Sequence, residues 1–151
     1  MEQNDPPRQS ILPFMPALYD FFDHDADIGI VGRGATPEAA FEAAAEAMFS
    51  IMAERGSLGR GSHIAFRFDE SDAELALVTW LNRLLAEARG NGLMLGAFKL
   101  KREGNSWQGE AWGSSWRQGT AGGVEVKGAT LTMLSVKAVD GEWEARCVVD
   151  V

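Results

Sequence analysis

Apolar and polar positions first fall into a regular rhythm at Tyr19. Residues 19–22 and 28–32 are short apolar runs on either side of Asp23-His24-Asp25-Ala26-Asp27, and they read as two strands interrupted by an acidic stretch. Thr36-Pro37 then opens a helix. The threonine hydroxyl can cap the free amides of the first turn, and proline has no N–H to leave unpaired there. Phe41, Ala44, Ala45, Met48 and Met52 recur at helical spacing, carrying this helix to about Met52. Gly56, Gly59 and Gly61 break the chain. Residues 63–69 alternate, with Ile64, Phe66 and Phe68 on one face, as a half-buried strand does. A second helix begins at Ser71 or Asp72 and runs to Arg89. Its stripe is Leu77, Trp80, Leu81, Leu84, Leu85 and Ala88, and Gly90-Asn91-Gly92 ends it.

The remainder predicts strands over 93–102, 106–117, 128–139 and 143–149. Gly104-Asn105 and Asp140-Gly141 mark hairpin turns; Asp-Gly is the stronger signal, because a type I′ turn needs positive φ at both central residues. Residues 119–123 read as a flexible loop. Most strands come late and are joined by short turns. The expected fold class is therefore α+β: two layers, two helices packed on a mainly antiparallel β-sheet. Residues 1–18, with Pro6, Pro7, Pro13 and Pro16, read as an N-terminal arm, mobile over its first ten positions. Its apolar residues Ile11, Leu12, Phe14 and Met15 are expected to dock on the domain, which spans 19–151.

Composition narrows the function. At 151 residues and 46% hydrophobic, the chain can bury one core without staples. Its single cysteine, Cys147, excludes an intramolecular disulfide and most cysteine-based zinc sites. No apolar run approaches the roughly 18–20 residues of a membrane span, and the first ten residues lack the basic-then-apolar pattern of a signal peptide. A cytoplasmic domain is expected. The formal charge of -8 argues against a direct electrostatic grip on nucleic acid.

The candidate chemistry lies at the two ends of the regular pattern. Asp23, Asp25 and Asp27 repel one another unless solvated or sharing a cation, and calcium or magnesium takes such oxygens. An EF-hand is excluded, since its sixth and twelfth positions would be Ile28 and Gly34. A solvated acidic turn remains the alternative. At the other end, a strand runs into Asp150 and the terminal carboxylate of Val151; this is either a donor pair or an ordinary strand end. Other motifs favour plainer readings. Gly32-Arg33-Gly34 lacks the third glycine of a dinucleotide fingerprint and the Lys-Ser/Thr of a P-loop, leaving a strand-to-helix turn. His24 and His63 have no second ligand at metal spacing, and Ser114 and Ser115 lie in no nucleophile elbow. Trp107, Trp112 and Trp116 are expected to cover a sheet face, and Cys147 to be a buried structural thiol.

The run His24-Asp25-Ala26-Asp27-Ile28-Gly29-Ile30, followed by Gly34-Ala35-Thr36-Pro37-Glu38-Ala39-Ala40-Phe41 and Ala47-Met48-Phe49, resembles the archease signature. So does the far end, Glu125-Val126-Lys127-Gly128-Ala129-Thr130 and Val148-Val149-Asp150-Val151. The resemblance implies a small α+β protein that is not itself an enzyme. It implies a partner, an RtcB-type RNA-splicing ligase, whose GTP-dependent guanylylation and multiple turnover it promotes in tRNA splicing or RNA repair. It also implies a metal site of Asp27, Asp150 and Val151 for calcium, with magnesium as the alternative. His24 and Asp25 would support that site, and Lys127 would serve ligase activation. Three departures stand out: Asp25 replaces the family's Thr, Ala35 replaces an Asp, and Leu131-Thr132 replace Tyr-His. Two other readings compete. One is a chaperone-like modulator of another RNA-modifying enzyme, such as a tRNA methyltransferase. The other is a metal-dependent hydrolase, for which the acidic motif offers neither a general base nor a phosphate-binding lysine loop.

Overall fold

The structure, a computed structural model, describes residues 18–24, 26–53, 61–115 and 123–151. The arm before Leu18, Asp25, Gly56, Gly59, Trp116 and the loop over 119–122 lie outside the described residues.

The first two strands, β1 (Tyr19–His24) and β2 (Asp27–Gly34), form one antiparallel hairpin whose last pair is His24↔Asp27. The acidic stretch is thus no interruption: it is the tip of a hairpin, with strand pairing continuing to Asp27. Helix α1 (Pro37–Met52) starts as the sequence predicts, the Thr36 hydroxyl accepting from the Ala39 N–H at 3.1 Å. Strand β3 (Ser62–Asp69) leads to α2 (Ala73–Asn91), which Asp72 caps by accepting from the Glu74 and Leu75 N–H groups. Gly92, in the left-handed region at φ 62°, ends it. Strands β4 (Leu93–Glu103) and β5 (Ser106–Ser115) form a long hairpin about Gly104-Asn105.

The predicted strand over 128–139 is two strands, β6 (Gly128–Ala129) and β7 (Ser135–Val139), both paired with the last strand, β8 (Glu142–Asp150). Thr130 donates to the Val148 carbonyl through its N–H, and the Val148 N–H donates to the Thr132 carbonyl. The chain then bulges out before rejoining β8 at Ser135↔Arg146, with Met133 at φ 56°. The Thr130 hydroxyl adds a second bond to the Val148 carbonyl at 2.8 Å, and the left-handed Met133 turns the chain away from the ladder that alternation alone would have continued.

The architecture is the expected α+β arrangement of two helices packed against antiparallel strands, and those strands divide between two sheets. One is five-stranded, ordered β1-β2-β8-β6 with β7 also on β8; the other is three-stranded, ordered β3-β5-β4. A single buried cluster joins both sheets to both helices. At its centre Trp80 and Trp107 are wholly buried, their indole N–H groups donating to the Phe41 and Glu70 carbonyls, each at 2.9 Å. Helix α1 lies directly on β2. A Cβ at Gly32 would run into the Ala40 carbonyl and the Ala44 backbone, and one at Gly34 would meet Ala39. The glycines of Gly32-Arg33-Gly34 therefore serve this close approach of strand and helix.

Candidate functional site

Three strands bring the two ends of the regular chain to one sheet margin. Strand β8 runs antiparallel to β2 with Ile28 opposite Val149, so one step further Asp27 stands opposite Asp150. The Val151 N–H donates to Asp27 Oδ1 at 3.4 Å, a long contact that turns the carboxylate toward the Val151 main chain. On the other side of β8, Gly128 pairs with Asp150, and the Lys127 N–H donates to the Asp150 carbonyl at 2.7 Å. With His24 opposite Asp27, the register lines up His24, Asp27, Asp150 and Gly128 across four strands. Directly opposed residues share a face of the sheet. Asp27 is half-buried, whereas Asp150 and Lys127 are exposed.

Like charges directly opposite on neighbouring strands destabilise the pair, and a shared cation would relieve that cost. Among the described residues, no three His, Cys, Asp or Glu side chains come together closely enough to hold a metal ion. A cation here would therefore have two carboxylate side chains, Asp27 and Asp150, and would take further oxygens from the Val151 main chain. That donor set is all oxygen and fits a hard ion such as calcium or magnesium rather than zinc. His24 sits in the same row, where an imidazole suits a softer metal.

The remaining sequence candidates fall elsewhere. His63 Nε2 lies 3.0 Å from Glu110 Oε1 and its ring packs on Trp112, a surface arrangement on the outer face of the small sheet. Trp107 is buried between Phe41 and Phe68, both stacked on it, so it offers no ring to a ligand. Cys147 is fully buried, and burial pushes its thiol up to about 12, which leaves it protonated and inert. Two residues of this corner carried no sequence signal beyond being polar positions on a helix. Asn82 donates to the Ala129 carbonyl at 3.2 Å and accepts from the Ala129 N–H at 2.8 Å, while the Arg89 guanidinium donates to the Val126 carbonyl.

Fold and margin together define a small α+β protein in which a hairpin tip from the first strands meets the final strand through paired aspartates. The chain belongs to the Archease protein family, whose model matches residues 19–151. It is 32% identical over 136 residues to the protein archease of Sulfolobus acidocaldarius, covering 88% of this chain and 98% of that one. The protein archease of Pyrococcus furiosus is 32% identical over 139 residues with the same coverage. The solution structure of Methanobacterium thermoautotrophicum protein 1598 superposes with a TM-score of 0.77 at 27% identity, covering 89% of this chain and 99% of that chain. The crystal structure of an archease from Thermotoga maritima shares the fold, with a TM-score of 0.56 at 20% identity over 86% of this chain and 94% of that chain. Among the described residues, no helix is long and apolar enough to cross a membrane.

Proposed function

We propose that this chain is a non-catalytic, metal-binding activator of an RtcB-type RNA ligase, promoting GTP-dependent guanylylation and repeated turnover in the cytoplasm. Membership of the archease family supports the general accessory role beside such a ligase. The observation that carries the finer reading is the register placing Asp27 and Asp150 on adjacent strands, with Lys127 bonded through its N–H to Asp150. In this reading Asp27, Asp150 and the Val151 main chain hold calcium or magnesium, which supplies a fixed positive charge where the two carboxylates would otherwise repel. Lys127, exposed beside that pair, presents its ammonium to the partner. An acidic protein approaching a basic RNA-binding enzyme gains chiefly in association rate.

The test is calorimetry with each ion, followed by a guanylylation assay with the ligase of the same organism. Calcium should bind, Asp27→Asn and Asp150→Asn should each weaken it by more than about tenfold, since even loss of a group that only supports a metal ligand costs about that much, and both should remain folded. Lys127→Ala should keep the ion and lose stimulation. Absence of binding to either ion at millimolar concentration would remove the metal site, and wild-type stimulation by Lys127→Ala would remove the role of that lysine. A protein that leaves the ligase unstimulated but is captured by an RNA methyltransferase would favour the chaperone-like alternative.

A further inference from the structure

The segment that carries Lys127 cannot hold its own place. Strand β6 is only two residues long, and on one side it has β8 as a neighbour. On the other side, among the described residues, no strand follows. There the side-chain amide of Asn82, from α2, takes both main-chain groups of Ala129, donating to its carbonyl at 3.2 Å and accepting from its N–H at 2.8 Å. A strand neighbour would make the same two bonds, so Asn82 stands in for one. Two helical turns further along α2, the Arg89 guanidinium donates to the Val126 carbonyl. These anchors fall on either side of Lys127, whose own N–H is committed to the Asp150 carbonyl at 2.7 Å.

We propose that Asn82 and Arg89 are positioning residues for ligase activation, fixing where Lys127 stands relative to the Asp27–Asp150 pair. The inference rests on the activating role given to Lys127 above. Neither residue needs to touch the partner. A lysine side chain is long and freely rotating, so its usable position depends on the main chain beneath it. Here that main chain is bonded at 126, 127 and 129, two of the three through α2. Removing the Asn82 amide would leave the Ala129 N–H and carbonyl to find water, and the short strand would open locally without unfolding the core.

The experiment compares Asn82→Ala, Lys127→Ala and the double variant, all in the full chain. Amide hydrogen exchange at Lys127 and Ala129 is followed alongside calcium-dependent stimulation of ligase guanylylation. Asn82→Ala should accelerate exchange at both amides by about tenfold or more, the consequence of losing two hydrogen bonds, while amides in the middle of α2 and β8 stay protected. Stimulation should fall several-fold in Asn82→Ala, and the double variant should be no worse than Lys127→Ala alone, because both act through one lysine. Arg89→Lys, which keeps a cationic donor, should retain more stimulation than Arg89→Ala. Unchanged exchange at Ala129 in Asn82→Ala would overturn the inference alone. Additive losses in the double variant would overturn it as well, by showing that Asn82 acts elsewhere. Wild-type stimulation by Lys127→Ala would instead overturn the reading of Lys127 on which it rests.

Discussion

In the three-stranded sheet, β4 and β5 pair from Leu93↔Ser115 to Glu103↔Ser106, and β3 pairs with β5 along its whole length. Its inner face is closed by rings: Trp107 stacks on Phe41 at 5.3 Å and on Phe68 at 5.9 Å, and Arg102 lies 4.6 Å above the indole. The far margin of the five-stranded sheet is built otherwise. There β6 contributes two residues, β7 rejoins β8 only after a bulge, and main-chain groups are met by Asn82, Arg89 and Thr130 side chains. The first region has buried side chains on long ladders, interrupted only by a register shift between Leu95 and Ala97 of β4. The second is held by individual polar bonds, which leave Asp150 and Lys127 at the surface in a defined place. The ring stack and the candidate chemistry are housed in different sheets, and substitutions can test how far they are separate.

The largest effect belongs to the ring stack. Trp107→Ala removes a fully buried indole and leaves the Glu70 carbonyl without its donor, and should cost about 3–5 kcal/mol. Denaturant unfolding measures it. Calcium affinity of the fraction still folded should equal that of the wild type if the two sheets are energetically separate. A loss of affinity in parallel with stability would show that the small sheet also shapes the Asp27–Asp150 margin.

What could be read from the chain follows the same division. The Thr36 cap, the alternation of Ile64, Phe66 and Phe68, and the Asp140-Gly141 turn are local signals, and each acts where its residues stand. Asp140 and Gly141 both adopt positive φ, as a type I′ turn requires. The break between Ala129 and Ser135 was not legible, because no glycine announces the left-handed residue there, which is Met133. The division into two sheets was not legible either, since β2 with β8 and β3 with β5 are pairings between distant segments. The meeting of Asp27 with the last strand spans 124 positions. No local pattern contains it, and it was anticipated only through the likeness to the archease signature at both ends.

A smaller effect should come from Met133. Its φ of 56° is costly for a side chain with a Cβ, and the residue is exposed, so packing returns little. Met133→Gly relieves that strain but adds freedom to the unfolded chain, and the net should lie between no change and a gain of about 1 kcal/mol. Equilibrium unfolding distinguishes this from the alternative. A loss exceeding about 1 kcal/mol would mean that the bulge is packed through Met133, and that the polar bonds of Thr130 and Thr132 do not hold it alone.

The smallest effect tests a place where the small sheet, too, has a main-chain amide met by a polar side chain. The Leu100 N–H donates to Glu42 Oε2 at 2.8 Å, so a carboxylate on α1 serves an amide on the outer edge of β4. Burial raises the Glu42 carboxyl above its usual range, and neighbouring Glu38 adds to this; the Leu100 N–H and Lys99 oppose it less strongly. A carboxyl whose pKa is raised by folding binds its proton more tightly in the folded protein than in the unfolded chain. Its contribution to stability is therefore most favourable in acid and declines as pH rises from the ordinary glutamate value through the raised one. Glu42→Gln keeps an oxygen to accept from Leu100 and removes the buried charge. The variant should thus be the more stable protein at neutral pH, with the advantage shrinking as pH falls through the raised value and gone below about pH 4, where the wild-type carboxyl is protonated in the folded and unfolded chain alike. Urea midpoints at the two pH values provide the comparison. If Glu42→Gln is instead destabilised at neutral pH, the ionised carboxylate is needed for its bond to Leu100. The small sheet would then depend on a charged contact, as is proposed for the Asp27–Asp150 margin, and the contrast between the two regions would narrow to their aromatic packing.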